Sequence, residues 1–324
     1  MQKHPNVQII MKLFTLVMLS LVPSVTVCSG FSKEVGIYSG TYGNDDVEVF
    51  LPEEVTYHLT GGDGVFYEGA FTFDNYNPDK GGAGNRQGVF SGYSTHFSST
   101  EGTSLGFHCT GLNPGKNSSA SKSFIFVMGP WESGEEFVAP QVTFQDLGDL
   151  SFIADNMDMI GITDGATAGT GGGRYGKADF VSFNNVGNIE FRGLNHGGIG
   201  FSRLNSLAFT NTGDISFTDM KMGYSSHGGA IFINQGGDSS LYSKPGDGNI
   251  SFDHTGNIIF RNLVKTSYYI SSAGIFTNEG SISFNDTENI LFENNTSTGG
   301  PAAIGIGSIF LPDNQPSLSF SNIR

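Results

Sequence analysis

The chain has 324 residues, of which 31 are acidic and 16 basic, for a formal net charge of −15. Such an excess of carboxylates excludes a general nucleic-acid binder, because phosphate neutralisation needs clustered Lys and Arg, and it favours solubility and the attraction of cations or basic surfaces. The 47 Gly and 28 Phe beside a single Trp point away from an ordinary helical domain, and only two Cys exclude a disulfide framework.

Residues 1–30 read as a signal peptide. Lys3, His4 and Lys12 precede an uncharged apolar run over 13–22, and Pro23 with small and polar residues leads to Gly30. The run is too short to span a bilayer and has the length of a leader core. Cleavage is expected after Gly30, and a start at Met11 in place of Met1 would give a leader of conventional length. Val27 stands before Cys28 where a lipobox requires Gly, Ala or Ser, so lipidation is not expected. Cleavage would remove two Lys and no acid, leaving 14 basic against 31 acidic residues, a net charge of −17. Cys109 would then be the sole thiol, read as a small buried apolar residue, with an intermolecular bond as the alternative. No later apolar stretch reaches the ~18 residues that mark a transmembrane helix. The mature chain is therefore expected outside the inner membrane, at the cell surface or outer membrane or secreted, with no transmembrane span.

Residues 31–130 read as an N-terminal cap and first coils. Phe71-Thr-Phe73 and Ser123-Phe-Ile-Phe-Val127 have strand character, and 75–88 is a loop rich in Gly, Asn, Asp and Pro. Gly102-Thr-Ser104-Leu-Gly106 matches the pattern of a hydrolase nucleophile elbow, a device that needs a strand before it and a helix after it. Neither flank of Ser104 has that character, so it is not read as catalytic.

Residues 131–324 carry an eleven-residue unit five times. Val142-Thr-Phe144 is followed by Gly148-Asp-Leu-Ser-Phe152, and Val181-Ser-Phe183 by Gly187-Asn-Ile-Glu-Phe191. Leu207-Ala-Phe209 precedes Gly213-Asp-Ile-Ser-Phe217, Ile250-Ser-Phe252 precedes Gly256-Asn-Ile-Ile-Phe260, and Ile282-Ser-Phe284 precedes Glu288-Asn-Ile-Leu-Phe292. Leu318-Ser-Phe320 begins a sixth copy. An aliphatic residue and a Phe two positions later share one strand face, so each unit is strand, turn, strand. The Gly and Asn or Asp between the strands are expected to take the left-handed backbone of the bend. One unit cannot hold itself together, so stacking must complete the core.

The copies start 39, 26, 43 and 32 residues apart. A propeller keeps a tighter period, whereas a β-solenoid accepts loops of any length at its corners. Gly-rich segments at His196-Gly-Gly-Ile-Gly200, His227-Gly-Gly-Ala-Ile231, Ser272-Ala-Gly-Ile275 and Gly299-Gly300 read as a further face of each coil. The fold expected is an all-β, right-handed parallel β-helix with irregular corner loops. Roughly a dozen coils would make a rod on the order of 60 Å long.

Three further patterns are weighed against coil geometry. Gly171-Gly-Gly-Arg-Tyr-Gly176-Lys177 is followed by Ala178 where a phosphate loop needs Ser or Thr, and reads as a corner loop. His196 and His227 each precede Gly-Gly and are 31 residues apart, a spacing at which imidazoles on neighbouring coils could share a transition metal. No Cys or third His accompanies them, and repeat register explains both. Asp45-Asp46, Asp63 and Gly246-Asp-Gly248 lack the period of a calcium-binding solenoid. No metal and no cofactor is expected.

Gly228-Gly229-Ala230-Ile231 and Phe292-Glu-Asn-Asn295 are the tetrapeptides GGAI and FxxN. Their order, with an Ile-Ser-Phe strand, an Ile-x-Phe strand and Asn-Asn-Thr before the next Gly-Gly, resembles the chlamydial polymorphic membrane protein family over residues 140–324. The resemblance implies an autotransporter-type passenger built as a β-helix, acting as an adhesin and surface antigen, with a host-cell surface protein or glycan as partner and an association with outer-membrane proteins. Two departures stand out. Most motif copies are altered, as in Gly197-Gly-Ile-Gly200, Phe191-Arg-Gly-Leu194 and Phe260-Arg-Asn-Leu263, and only 29 residues follow Asn295, too few for a translocator barrel of about eight strands. The expectation is thus a passenger segment without its anchor and without enzymatic activity. The alternatives are a glycan-active β-helix enzyme (polysaccharide lyase or hydrolase), although no strand face shows two Asp and a base at alternate positions, and a degenerate non-functional remnant.

Overall fold

The computed structural model describes residues 46–50, 55–60, 94–99, 102–110, 122–126, 141–157, 159–163, 178–201, 204–223, 229–233, 248–266, 271–278, 280–307 and 316–324. The leader 1–30 with Cys28, the strand expected over 71–73, the loop 75–88, the Gly-rich segment 171–177, His227 and Gly228 lie outside the described residues.

Alternation of aliphatic, polar and Phe residues produces strands whose every second side chain points inward, and these strands stack in parallel into three faces. The first face has eight strands: Asp46–Phe50, Ser94–Ser98, Val142–Leu147, Ala178–Val186, Leu204–Thr212, Asn249–Thr255, Ile282–Thr287 and Leu318–Ser321. The second has seven: Val55–Thr60, Leu105–Thr110, Leu150–Met157, Ile189–Leu194, Ile215–Thr218, Ile258–Arg261 and Ile290–Glu293. The third has six: Lys122–Phe126, Met159–Thr163, Gly197–Phe201, Ile231–Ile233, Ile275–Thr277 and Ile304–Ile306. Each circuit of the three faces is one tier of a parallel β-helix. Among the described residues no helix is long and apolar enough to cross a membrane.

Register follows the repeat units. Val142 pairs with Val181 and Phe144 with Phe183 on the first face, while Leu150 pairs with Ile189 and Phe152 with Phe191 on the second. Described strands on either side of residue 130 share one sheet, since Ser94–Ser98 pairs with Val142–Leu147. The described residues form eight tiers, about 34 Å of stacking from first to last. Register-matched residues lie between 26 and 50 positions apart, so each tier consumes more chain than a minimal coil.

The core consists of two columns of Phe rings. On the first face Phe97, Phe144, Phe183, Phe209, Phe252, Phe284 and Phe320 stack with centroids 4.7 to 5.2 Å apart. On the second, Phe107, Phe152, Phe191, Phe217, Phe260 and Phe292 stack at 4.7 to 5.1 Å. The columns meet edge to face, at 88° between Phe97 and Phe107 and 86° between Phe144 and Phe152. Full burial of one such ring contributes about 1.5–3 kcal/mol, and each aromatic pair about 0.5–1.5 kcal/mol more. Aliphatic residues such as Val181, Leu207, Ile215 and Ile258 fill the interior between them, all fully buried.

The corners differ from expectation in which residue bends the chain. The left-handed backbone falls two residues after ten of the thirteen stacked Phe. Asp146, Asn185, Asn211, His254, Asp286 and Asn322 have φ between 48° and 55° after the first face, and Gly193, Asp219, Asn262 and Asn294 between 54° and 68° after the second. Asn and Asp tolerate this region because their short side chains bond locally. Gly187, Gly213 and Gly256 serve close approach: a Cβ on them would lie 2.8 Å from Asp149 Oδ1, 2.7 Å from Asn188 Oδ1 and 2.5 Å from Asp214 Oδ1 of the preceding tier. A fourth sheet of two-residue strands, Lys221–Met222, Val264–Lys265 and Thr296–Ser297, adds a further corner that sequence alternation is too short to reveal.

Candidate binding surface

Inward positions are spent on the core, so any recognition falls to outward positions, and the first two faces present different chemistry. On the first face one outward row reads His96, Thr143, Ser182, Ala208, Ser251, Ser283 and Ser319 in register. The other reads Ser98, Gln145, Asn184, Thr210, Asp253, Asn285 and Ser321. These rows bond along themselves, as where Nδ2 of Asn285 donates to Oδ1 of Asp253 at 2.5 Å. Their hydrogen-bonding capacity is partly used internally.

The second face carries the charged and apolar groups. One outward row reads Gly106, Ser151, Glu190, Ser216, Ile259 and Leu291, and the other His108, Ile153, Arg192, Thr218, Arg261 and Glu293. Arg192 Nε lies 3.3 Å from Glu190 and Arg261 Nε 2.6 Å from Glu293, with all four side chains at least 40% exposed. Such exposed pairs contribute little stability, which leaves the guanidinium groups for other contacts. Leu291 beside them is 40% exposed.

The corner between these faces is a polar ladder. Oδ1 of Asp149 accepts from the Asn188 amide at 2.9 Å, Oδ1 of Asn188 from the Asp214 amide at 3.0 Å, and Oδ1 of Asp214 from the Asn257 amide at 2.8 Å. Ser104 is its first rung, its Oγ accepting from the Asp149 amide at 3.0 Å. The strand Leu105–Thr110 follows it directly. Two shallow grooves mark the corners. One of about 610 Å³ lies along Ser99, Gly102, Asp146 and Asn185, and one of about 520 Å³ along Arg192, Asp219, Lys221 and Asn262.

The family-like motif residues lie in the architecture. Ala230 and Ile231 are fully buried, and Ile199 pairs with Ile231, which aligns Gly197-Gly198-Ile199 with Gly229-Ala230-Ile231. Gly198 and Gly274 fill the Ala230 position in neighbouring tiers, where a Cβ would meet Phe217 Cε1 at 2.7 Å and Phe292 Cε1 at 2.9 Å respectively. Asn295 binds the tier before it: Oδ1 accepts from the Leu263 amide at 3.0 Å, and Nδ2 donates to the Phe260 carbonyl at 2.9 Å. Gly at this position thus leaves room for the rings of Phe217 and Phe292, and the final Asn of FxxN ties two tiers together.

Of the other singled-out residues, Cys109 lies on the second face in register with Ala154. His196 sits in the turn before Gly197–Phe201. Two groups escaped sequence reasoning. Lys265 is only 1% exposed, and desolvation pushes its ammonium pKa below the ordinary lysine value. Asp253, His254 and Asp286 bring one ligand atom each to within 4.8 Å of the others. A His two residues after a Phe, where aligned units place Asn or Asp, was the available signal.

No protein-family model matches the chain, and no curated protein or solved structure matches it either.

Proposed function

We propose that this chain is an exported surface or secreted passenger of the polymorphic membrane protein type, adhesin-like, which binds a host-cell surface protein or glycan through the outer side of its second face. The observation that carries the reading is the row of Arg192 and Arg261 beside Ile259 and Leu291 on a sheet held rigid by stacked rings. Arg next to apolar surface is the composition of binding hot spots, and a preorganised sheet loses little freedom when a partner docks. The buried motif residues favour a division of labour, with shared motifs building the rod and exposed second-face positions setting specificity. The leader-like residues 1–30 and the ordered GGAI and FxxN copies support export and the family assignment.

The test is attachment of beads coated with purified protein to cultured host cells, against beads coated with an inert protein of equal net charge. Attachment above the control, reduced several-fold by the double variant Arg192→Ser, Arg261→Ser with an unchanged melting temperature, is the expected result. Equal attachment by wild type and control removes the adhesive reading.

A further inference from the structure

We propose that the open end of the stack, formed by Leu318–Ser321 on the first face and Ile290–Glu293 on the second, is an interface at which two copies of this chain join end to end about a two-fold axis. Among the described residues no strand pairs with the far side of either one. Side chains of the kind that earlier tiers bury are uncovered there. Leu318 and Phe320 are 42% and 54% exposed, whereas their register partners Ile282 and Phe284 are at most 1% exposed. The bond from the Arg324 amide to the Thr287 carbonyl sets Ile323, 39% exposed, over the fully buried Thr287. On the second face Ile290 and Phe292 are only partly buried, against full burial of Ile258 and Phe260 one tier earlier. The strand Leu-Ser-Phe-Ser carries neither charge nor proline. Sheet edges are ordinarily blunted by such residues, and a bare edge is a template for another strand.

The shape of the end selects a second copy as its occupant. The first face has eight strands and the second seven, so Leu318–Ser321 stands one tier, about 4.8 Å, above the edge of Ile290–Glu293. A copy turned over about a two-fold axis through the corner between these faces presents the same step in reverse. The raised strand of each copy then lies along the recessed edge of the other. Turning the rod over reverses the direction in which its strands circulate, so the new pairing is antiparallel. Leu318 and Phe320 of one copy close over Ile290 and Phe292 of the other, and the contact extends the packing that already joins the tiers. A surface that fits itself in this way closes as a dimer and stops there.

Charge favours the same occupant. Residues 294–324 carry one acidic and one basic side chain, Asp313 and Arg324, while the chain as a whole has a net charge of −15. On the recessed edge Glu293 is paired with Arg261, and at the corner on the axis Arg324 follows Ile323 in register over Glu288. Two copies meeting flank to flank bring carboxylates together. At this end they meet where the charges balance.

The experiment is sedimentation equilibrium of the purified full chain over a range of concentrations, in reducing buffer so that Cys28 and Cys109 cannot link copies. Expected is a monomer–dimer equilibrium in the micromolar range. It should tighten as sodium chloride is raised, because salt screens the repulsion between two net-negative copies. Phe320→Glu places a charge in the contact and should weaken dimerisation at least about tenfold while keeping the β spectrum. Arg192→Ser, three tiers from the end, should dimerise as wild type does. A wild type that stays monomeric, a folded Phe320→Glu chain that dimerises unchanged, or open-ended polymers in place of dimers overturns the proposal. If Phe320→Glu loses its β spectrum, Leu318→Glu is judged by the same criterion.

Discussion

Gly198 lies so close to the ring of Phe217 that a Cβ on it would sit 2.7 Å from Cε1 and 2.8 Å from Cδ1. The third face thus yields space at this position to the Phe column of the second. Gly198→Val should destabilise the chain by about 1–3 kcal/mol through overpacking. Gly223→Ala, where nothing lies within 4 Å of the new methyl group, should leave the denaturation midpoint in place. Equal midpoints for the two variants in urea would contradict this packing.

The Phe columns make position along the rod matter. Phe209, fully buried between Phe183 and Phe252, should cost about 3–5 kcal/mol when replaced by Ala. Phe320 ends its column at 54% exposure and should cost much less. Chemical denaturation of both variants checks the gradient, and a larger loss at Phe320 would place the stabilising core elsewhere.

Asn295 is expected to hold the amide of Leu263. Asn295→Ala removes both of its bonds to the preceding tier, at a cost of about 1–3 kcal/mol. Hydrogen exchange supplies the local readout: the Leu263 amide should lose protection in the variant. Unchanged protection there would mean the side chain does not bridge the tiers.

Thr212 Oγ1 is buried without a hydrogen-bond partner, and its register partner in the tier before is Val186. Thr212→Val removes an unsatisfied hydroxyl at nearly constant volume and should stabilise by about 1 kcal/mol. A lower melting temperature for the variant would show that the hydroxyl is satisfied in solution.

Lys265 gives the chain a pH dependence. Burial lowers its pKa in the folded state below the unfolded value of 10.5, so between those two values the unfolded chain binds more protons. Stability from this group therefore rises as pH climbs from the folded pKa towards 10.5. Lys265→Met should be more stable than wild type at neutral pH and lose that rise, measured as urea midpoints across the alkaline range. A parallel pH profile in both proteins would falsify the assignment.

How much of this was legible follows from the length scale of each feature. The aliphatic-x-Phe alternation has the strand period, so the first two faces and their register could be read directly from Val142, Phe144, Leu150 and Phe152 onward. The bends could be located but fell on another residue than expected, because Asn185 lies two positions before Gly187 and takes the left-handed backbone in place of Gly187 and Asn188. Only the approach of Gly187 to Asp149 in the preceding tier separates bending from clearance. The smallness of Gly198 and Ala230 was visible as a motif, but its reason lies in a ring on another face. Asp253 and Asp286 belong to units 33 residues apart in the chain, and their meeting depends on the 32-residue register between tiers. Two-residue strands such as Val264–Lys265 carry no periodicity at all.

The register on the first face is the same whether 26 residues separate paired positions, as from Asp179 to Asn205, or 43, as from Asp214 to Asn257 at the adjoining corner. Chain length between tiers and spacing across tiers are therefore uncoupled. Peptides grafted into the longer connections should leave the ring stack undisturbed, which makes the rod a scaffold for displaying foreign epitopes, and evolution can diversify what is presented without renegotiating what holds it up.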